Sequence, residues 1–178
     1  MKTPIIISLI VSSLFTVVLV RGCFSGLFPQ FICGYTNLTT SYSKLNTTQI
    51  KEVESIVNEH TKYSLELGNG ADNLVDGDEK TLAAPASNQI DYIVSLTEVY
   101  KIKEISILWQ GYPYIRSWAL EASSDGNKWK EIYSNNSAPG SQTIIDNKFD
   151  ASFIRLKAEA ENNWIGAYEL SIIGKPAN

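Results

Sequence analysis

Between residues 90 and 173 the chain repeats with a period of two, and that period excludes most folds. Ile90, Tyr92, Val94 and Leu96 alternate with Asp91 and Ser95, and Ile105, Ile107 and Trp109 alternate with Ser106 and Leu108. Trp118, Leu120 and Ala122 follow, then Trp129 and Ile132, then further runs at 143–145, 153–157 and 167–173. Successive side chains of a strand point to opposite faces, so this alternation buries one face of a sheet and wets the other. Short alternating strands with turn residues between them, and no convincing helix, predict an antiparallel β-sandwich or barrel. Ser124-Asp125-Gly126-Asn127 is the clearest turn, because Asp-Gly supplies the positive φ that a primed hairpin turn needs. Trp109 continues an inward-facing alternation, and Trp118 and Trp129 read as core. With 178 residues, 44% of them apolar, the chain has material for one such core and short appendages.

The N-terminus is of a different kind. Lys2 precedes a charge-free run from Pro4 to Val20, closed by Arg21-Gly22-Cys23. A run of that length lies between a signal-peptide core and a short transmembrane helix, so residues 1–22 read as a cleaved signal or a retained anchor, with membrane association through residues 4–20. Either one exports the remainder, secreted or membrane-anchored with the domain outside the cytoplasm, where a Cys23–Cys33 disulfide is permitted. Leu19-Val20-Arg21-Gly22-Cys23 also resembles a bacterial lipobox, but Arg21 stands where a neutral residue is expected. Residues 23–65 read as a polar linker with one amphipathic helix near 48–60. Its signal is Ile50, Val53, Ile56, Val57 and His60 at helical spacing behind an Asn46 or Thr47 cap. Asn37, Asn46 and Asn135 each begin a glycosylation sequon, meaningful in a eukaryotic secretory pathway.

Charge and motif inventory narrow the function. The formal net charge is -4, and removing residues 1–22 takes away Lys2 and Arg21 and no acid. A mildly acidic domain lacks the basic footprint that nucleic acid requires. His60 is the only histidine, no cysteine lies inside the alternating region, and no Gly-rich phosphate loop is present, so the chain is not expected to be an enzyme.

One acidic stretch breaks the pattern: Asn73-Leu74-Val75-Asp76-Gly77-Asp78-Glu79-Lys80-Thr81. Gly77 invites positive φ, and both aspartates compete for backbone hydrogen bonds, so the segment turns tightly. Such a turn gathers carboxylates, peptide carbonyls and a hydroxyl, the ligand set of a hard cation, although an ordinary solvated Asp-Gly turn has the same residues.

Taken in order, Ala71 to Asp78 with Thr81, Asp91 to Leu96 with Val99 to Ile102, and Ile105 to Trp109 form a recognisable series. Leu120 to Trp129, Phe153 to Leu156 and Ala167 to Gly174 complete it. The whole resembles the discoidin domain, also called coagulation factor V/VIII type C, of the galactose-binding-like fold; it is similar in style to family thirty-two carbohydrate-binding modules. The resemblance covers residues 66–175, leaving 176–178 as a tail. It implies an eight-stranded, jelly-roll-like antiparallel β-sandwich whose loops at one end bind ligands. It also implies a structural calcium site, with Asp76 as a side-chain ligand, Asn73 and Asp78 through their carbonyls, and Thr81 through hydroxyl and carbonyl. Glu169 would close that site with its carboxylate and Tyr168 would add a carbonyl. The chain departs from the family at Ala83 and Ile90, where relatives carry aromatic residues.

Sugar recognition needs an aromatic platform for the apolar face of the ring and polar groups for its hydroxyls. The loops Trp109 to Arg116 and Glu161 to Trp164 have that chemistry, and Tyr112, Tyr114, Arg116, Asn163 and Trp164 are the expected ligand-binding residues. The expectation is a non-catalytic, exported module that recognises carbohydrate or glycoconjugate on a surface or matrix. The alternative is a membrane-anchored structural subunit of a larger complex that uses the same domain for protein contacts.

Overall fold

Two long strands carry the architecture. β3 (Gln89–Gln110) and β6 (Gln142–Ala160) pair antiparallel from Gln89↔Glu159 to Leu108↔Gln142. Each fuses two runs that the sequence separates, 90–96 with 105–109 and 143–145 with 153–157. Their ladder is interrupted between Ser95 and Tyr100 and again between Ile102 and Glu104. At these irregularities both strands bend, and their other neighbours change. Before the bend, β3 pairs with β2 (Ile50–Ser55), while the second half of β6 pairs with β4 (Ile115–Ser123), which holds β5 (Lys130–Asn135). After it, β3 pairs with β7 (Gly166–Pro176), which carries β1 (Ser43–Lys44). The front layer is therefore β2-β3-β6-β4-β5, and the back layer is β1-β7-β3-β6.

This computed structural model describes residues 41–56 and 65–178, all within one unit, Thr39–Asn178. The expected signal or anchor at 1–22, the Cys23–Cys33 pair, the Asn37 sequon and His60 lie outside the described residues. Among the described residues no helix is long and apolar enough to cross a membrane.

The alternation buries the faces it predicts. Tyr92, Val94, Leu120, Ile154 and Leu156 of the front layer share one core cluster with Ile105, Ile107, Leu170 and Ile172 of the back layer. Trp109 of the back layer meets Trp118 of the front edge-on, with ring centroids 5.3 Å apart. Trp118 in turn stacks on Tyr133 at 4.8 Å.

Three expectations are corrected. The helix near 48–60 is a strand where it is described: β2 adds to the edge of β3, with Ile50 opposite Leu96 and Val53 opposite Val94. A register shift between Ile50 and Glu52 inserts an extra residue, so two residues three apart face the core together and imitate helical spacing. The sheet thus draws on residues upstream of position 66. Trp129 lies outside the core cluster, with the Arg155 guanidinium 5.5 Å from its ring centroid. The β4–β5 connection runs over 124–129, and Gly126, at φ +73, is its only positive-φ residue, so it is not a primed two-residue turn. The Asp125 carboxylate organises it instead, with Oδ1 accepting from the backbone N–H of Asn127 (2.9 Å) and Lys128 (2.8 Å).

The outer face of the front layer holds a charged ladder. Arg155 on β6 makes a bidentate pair with Asp91 on β3, both bonds 2.7 Å long. Lys157 donates to Glu121 on β4 at 2.6 Å. Asp91 is only 3% exposed, so its charge depends on Arg155; removing one partner of such a pair costs about 3–5 kcal/mol.

Two predictions arise from this framework. A Cβ on Gly166 would strike the Ala83 carbonyl and the Ala84 side chain, where Ala83 bridges Ala167. Gly166→Ala should lower stability by about 1–3 kcal/mol in urea denaturation; an unchanged midpoint would show that residues 83–84 are not seated there. The backbone donors from Lys128 and Asn127 hold the Asp125 carboxyl below its ordinary value. A lowered folded value contributes stability above the unfolded carboxylate range and loses it as pH falls through the folded value. Asp125→Asn should therefore trail the wild type at pH 7, and the gap should close as pH falls below the ordinary carboxylate range; a constant gap would sink this account.

Candidate functional site

One end of the sandwich is built from three segments laced by backbone. β3 ends at Gln110, and Gly111 turns the chain into a 3-10 turn, Tyr112–Tyr114, that opens β4. Gly111 has φ +75, and a Cβ there would sit 3.3 Å from the Trp164 carbonyl, so glycine is needed both for the turn and for the approach of 161–165. Tyr114 N–H donates to the Gly111 carbonyl (3.0 Å), and Glu161 N–H donates to the Tyr114 carbonyl (3.3 Å). Residues 86–88 form the third segment. Ala160 N–H donates to Asn88 O at 2.7 Å, and Ile165 N–H donates to Ser87 O at 3.0 Å. Ala86 holds φ +55, unusual for a side chain with a Cβ.

The expected ligand-binding residues gather on this end. Tyr114 and Trp164 are 52% and 53% exposed, on loops that touch through the Gly111 and Glu161 contacts. Asn163 and Arg116 are also exposed. Tyr112 belongs to the same 3-10 turn. Among the described residues, the Arg116 side chain has no hydrogen bond or ion pair, so its guanidinium is available to an outside group. The Leu82 to Asn88 stretch carried no ligand signal in the sequence beyond its small, polar composition. Its part in this end comes chiefly from the Ser87 and Asn88 carbonyls, acceptors that every residue type carries, with the Asn88 amide donating back to the Ala160 carbonyl at 3.2 Å.

The acidic stretch forms a clasp on the outer face of the back layer. A 3-10 turn, Ala71–Leu74, leads into it and buries Leu74. The Asn73 amide donates to the carbonyls of Gly68 (2.6 Å) and Leu82 (2.9 Å), stapling the two ends of the loop. Asp76 Oδ1 accepts from Asp78 N–H and Oδ2 from the Thr81 hydroxyl, each at 2.8 Å. Glu169 reaches from β7 to accept the Gly77 N–H at 3.1 Å through Oε2. Its Oε1 lies 3.5 Å from Lys44 Nζ and 3.4 Å from the Ser171 hydroxyl. A β-bulge explains the approach: Leu108 pairs with Glu169 and Trp109 with Ala167, which leaves Tyr168 as the extra residue. Burial is the main cause that pushes the Glu169 carboxyl up, and Asp76 adds to it; Lys44 and the Gly77 N–H pull the other way.

As a donor set, two carboxylates with a hydroxyl and several carbonyls suit a hard cation better than a soft one. Among the described residues no group of three His, Cys, Asp or Glu side chains converges on one point. The Asp78 carboxylate accepts the Lys80 N–H at 3.0 Å through Oδ1, and the Asp78 carbonyl accepts both the Thr81 N–H (3.1 Å) and the Thr81 hydroxyl (2.8 Å). Lys44 is the participant that sequence reading missed. It sits in a Ser- and Tyr-rich segment with no charge pattern, and only the β1–β7 pairing of Lys44 with Ile173 brings it to Glu169.

Comparison with known proteins places this geometry in context. In structure the chain is similar to chitosan-binding module 1 of a chitosanase/glucanase from Paenibacillus sp. IK-5, at 17% identity and TM-score 0.60, covering 72% of this chain and 98% of that one. It is similar to a Clostridium perfringens module (CBM32-5) solved in complex with GalNAc-β-1,3-galactose, at 24% identity and TM-score 0.59, covering 73% and 99%. A pectin-binding carbohydrate-binding module matches at 24% identity and TM-score 0.56, covering 70% and 90%. No curated protein matches the chain in sequence. The F5/8 type C domain model matches residues 49–170, and the chain therefore belongs to the F5/8 type C, or discoidin, domain family.

Proposed function

We propose that this domain is a non-catalytic carbohydrate-binding module whose site is the end bearing Tyr114 and Trp164. The observation that carries the reading is the pair of half-exposed aromatic rings on two loops fixed to one another by backbone. A pyranose presents an apolar face that stacks on such rings and hydroxyls that need donors and acceptors beside them. Arg116 and Asn163 supply those groups, and Tyr112 lies in the same turn. The three structural relatives are described as binding chitosan, a GalNAc-galactose disaccharide and pectin, which supports a glycan as the ligand class. In this reading the domain faces the outside of the cell, exported by residues 1–22. The clasp holds a structural calcium ion through Asp76 and Glu169, the carbonyls of Asn73, Asp78 and Tyr168, and the oxygens of Thr81.

Two experiments test these statements. On a glycan array the full chain should bind a defined set of glycans, and Trp164→Ala or Tyr114→Ala should weaken that binding about tenfold or more while leaving the melting temperature unchanged. Binding that survives loss of both rings would move the site elsewhere, and silence of the wild type across the array would favour a protein-contact role. For the clasp, calcium at a hundred times its dissociation constant should stabilise the wild type by about 2.7 kcal/mol and leave Glu169→Gln unmoved. A wild type indifferent to calcium and chelator, or a variant that responds equally, removes calcium from the clasp.

A further inference from the structure

The opposite end of the sandwich carries a cleft. β4 starts at the aromatic end and finishes at Ser123, where the two layers part between the β4–β5 hairpin and the first half of β6. The cleft there, about 440 Å³, has Ala122, Ile132 and Phe149 among its lining residues, and its rim carries Lys128, Lys130 and Lys148. Ile132 and Phe149 are half-buried and pack against the core, so the floor is a firm apolar surface.

The three ammonium groups have no ion-pair partner among the described residues. Two carboxylates are near. Asp150 lines the cleft but stands directly opposite Lys101 across the β3–β6 ladder. Asp125, in the adjoining loop, is engaged by the backbone of Asn127 and Lys128 and by the Ser123 hydroxyl. In a chain of net charge -4, three ammonium groups against the Asp150 and Asp125 carboxylates still leave positive charge in excess around a pocket that has Ala122, Ile132 and Phe149 in its lining. Among the described residues none of the three lysines is held by a carboxylate within ion-pair distance, so each is available to an anionic ligand.

We propose that this cleft is a second binding site, distinct from the aromatic end, for an acidic carbohydrate: a sugar chain whose sulfate or carboxylate groups meet Lys128, Lys130 and Lys148 while a ring lies over Phe149. A concave site with a recessed apolar floor accepts a chain segment, whereas the flat surface of a bilayer cannot enter it. The proposal does not rest on the glycan reading of the aromatic end.

The test measures binding of the full chain to a sulfated heparin oligosaccharide, to oligogalacturonate as the carboxylate-only form, to neutral dextran, and to phosphatidylserine vesicles. At least one acidic sugar should bind, more weakly as salt rises, and dextran and vesicles should not. The triple variant Lys128→Gln, Lys130→Gln, Lys148→Gln should lose about tenfold or more in affinity, roughly 1.4 kcal/mol. A control with the same charge change, Lys51→Gln, Lys80→Gln, Lys175→Gln, should lose much less, and Trp164→Ala should lose nothing. Equal loss in both triple variants would reduce the effect to net charge, and loss in Trp164→Ala would return the sugar to the aromatic end. Binding to vesicles instead of sugars would make the surface a membrane contact. Each of these results overturns the proposal, as does no binding of either acidic sugar.

Discussion

The pairing of β3 with β6 is the constraint on which everything else hangs. Because both strands run through the same two irregularities, they bend together, and one continuous ladder supplies the centre of both layers. A sheet that folds over itself in this way brings the face carrying Tyr92, Ile154 and Leu156 against the face carrying Ile105 and Ile107 without any linker between layers. The remaining strands attach to its edges: β2 and β4 to the front half, β7 to the back half. The bend is where the alternation must slip, since a strand that changes layer has to keep its apolar side inward on both.

The parts that depend on this alternation were readable from the sequence, and the parts that depend on its interruptions were not. Ile90 to Leu96 and Ile105 to Trp109 announce their buried faces plainly, since a period of two has one physical meaning. The bulge in β2 hid a strand behind helical spacing, because a single inserted residue turns i, i+2 into i, i+3. The bulge at Tyr168 is equally silent, yet it brings Glu169 to the Gly77 N–H. Trp129 was misjudged for a different reason: hydrophobicity alone does not distinguish a core ring from one that carries a guanidinium on an outer face. The two loops at the aromatic end were legible as chemistry, Tyr and Trp beside Arg and Asn. Their mutual contact follows from the positive φ of Gly111 and the closeness of Trp164 O, which composition does not encode.

Charge is distributed over this framework with different purposes in different places. On the front face Asp91, Arg155, Glu121 and Lys157 form a ladder in which each charge has a partner within 4 Å. Its value is register, because a slip of one residue would turn Asp91 and Arg155 towards the core. The clasp is less evenly matched. Glu169 is 4% exposed and answered by a single ammonium, on Lys44, at 3.5 Å. At the mouth beside Phe149 the imbalance has the other sign.

The clasp and the aromatic end are mechanically one assembly although their chemistry is separate. The chain leaves the clasp at Thr81, bridges β7 through Ala83 and Ala167, and reaches Ser87, whose carbonyl takes the Ile165 N–H. Gly166, with no side chain, lets Ala83 and Ala84 close onto the start of β7. Holding Glu169 against Gly77 therefore fixes the start of β7, and the loop that carries Asn163 and Trp164 ends there. In the proposed reading, rings held on already ordered loops bind a sugar more tightly, since ordering the loops on binding would consume part of the modest energy that stacking supplies. The acidic stretch accordingly braces the start of β7, next to the loop that carries Asn163 and Trp164.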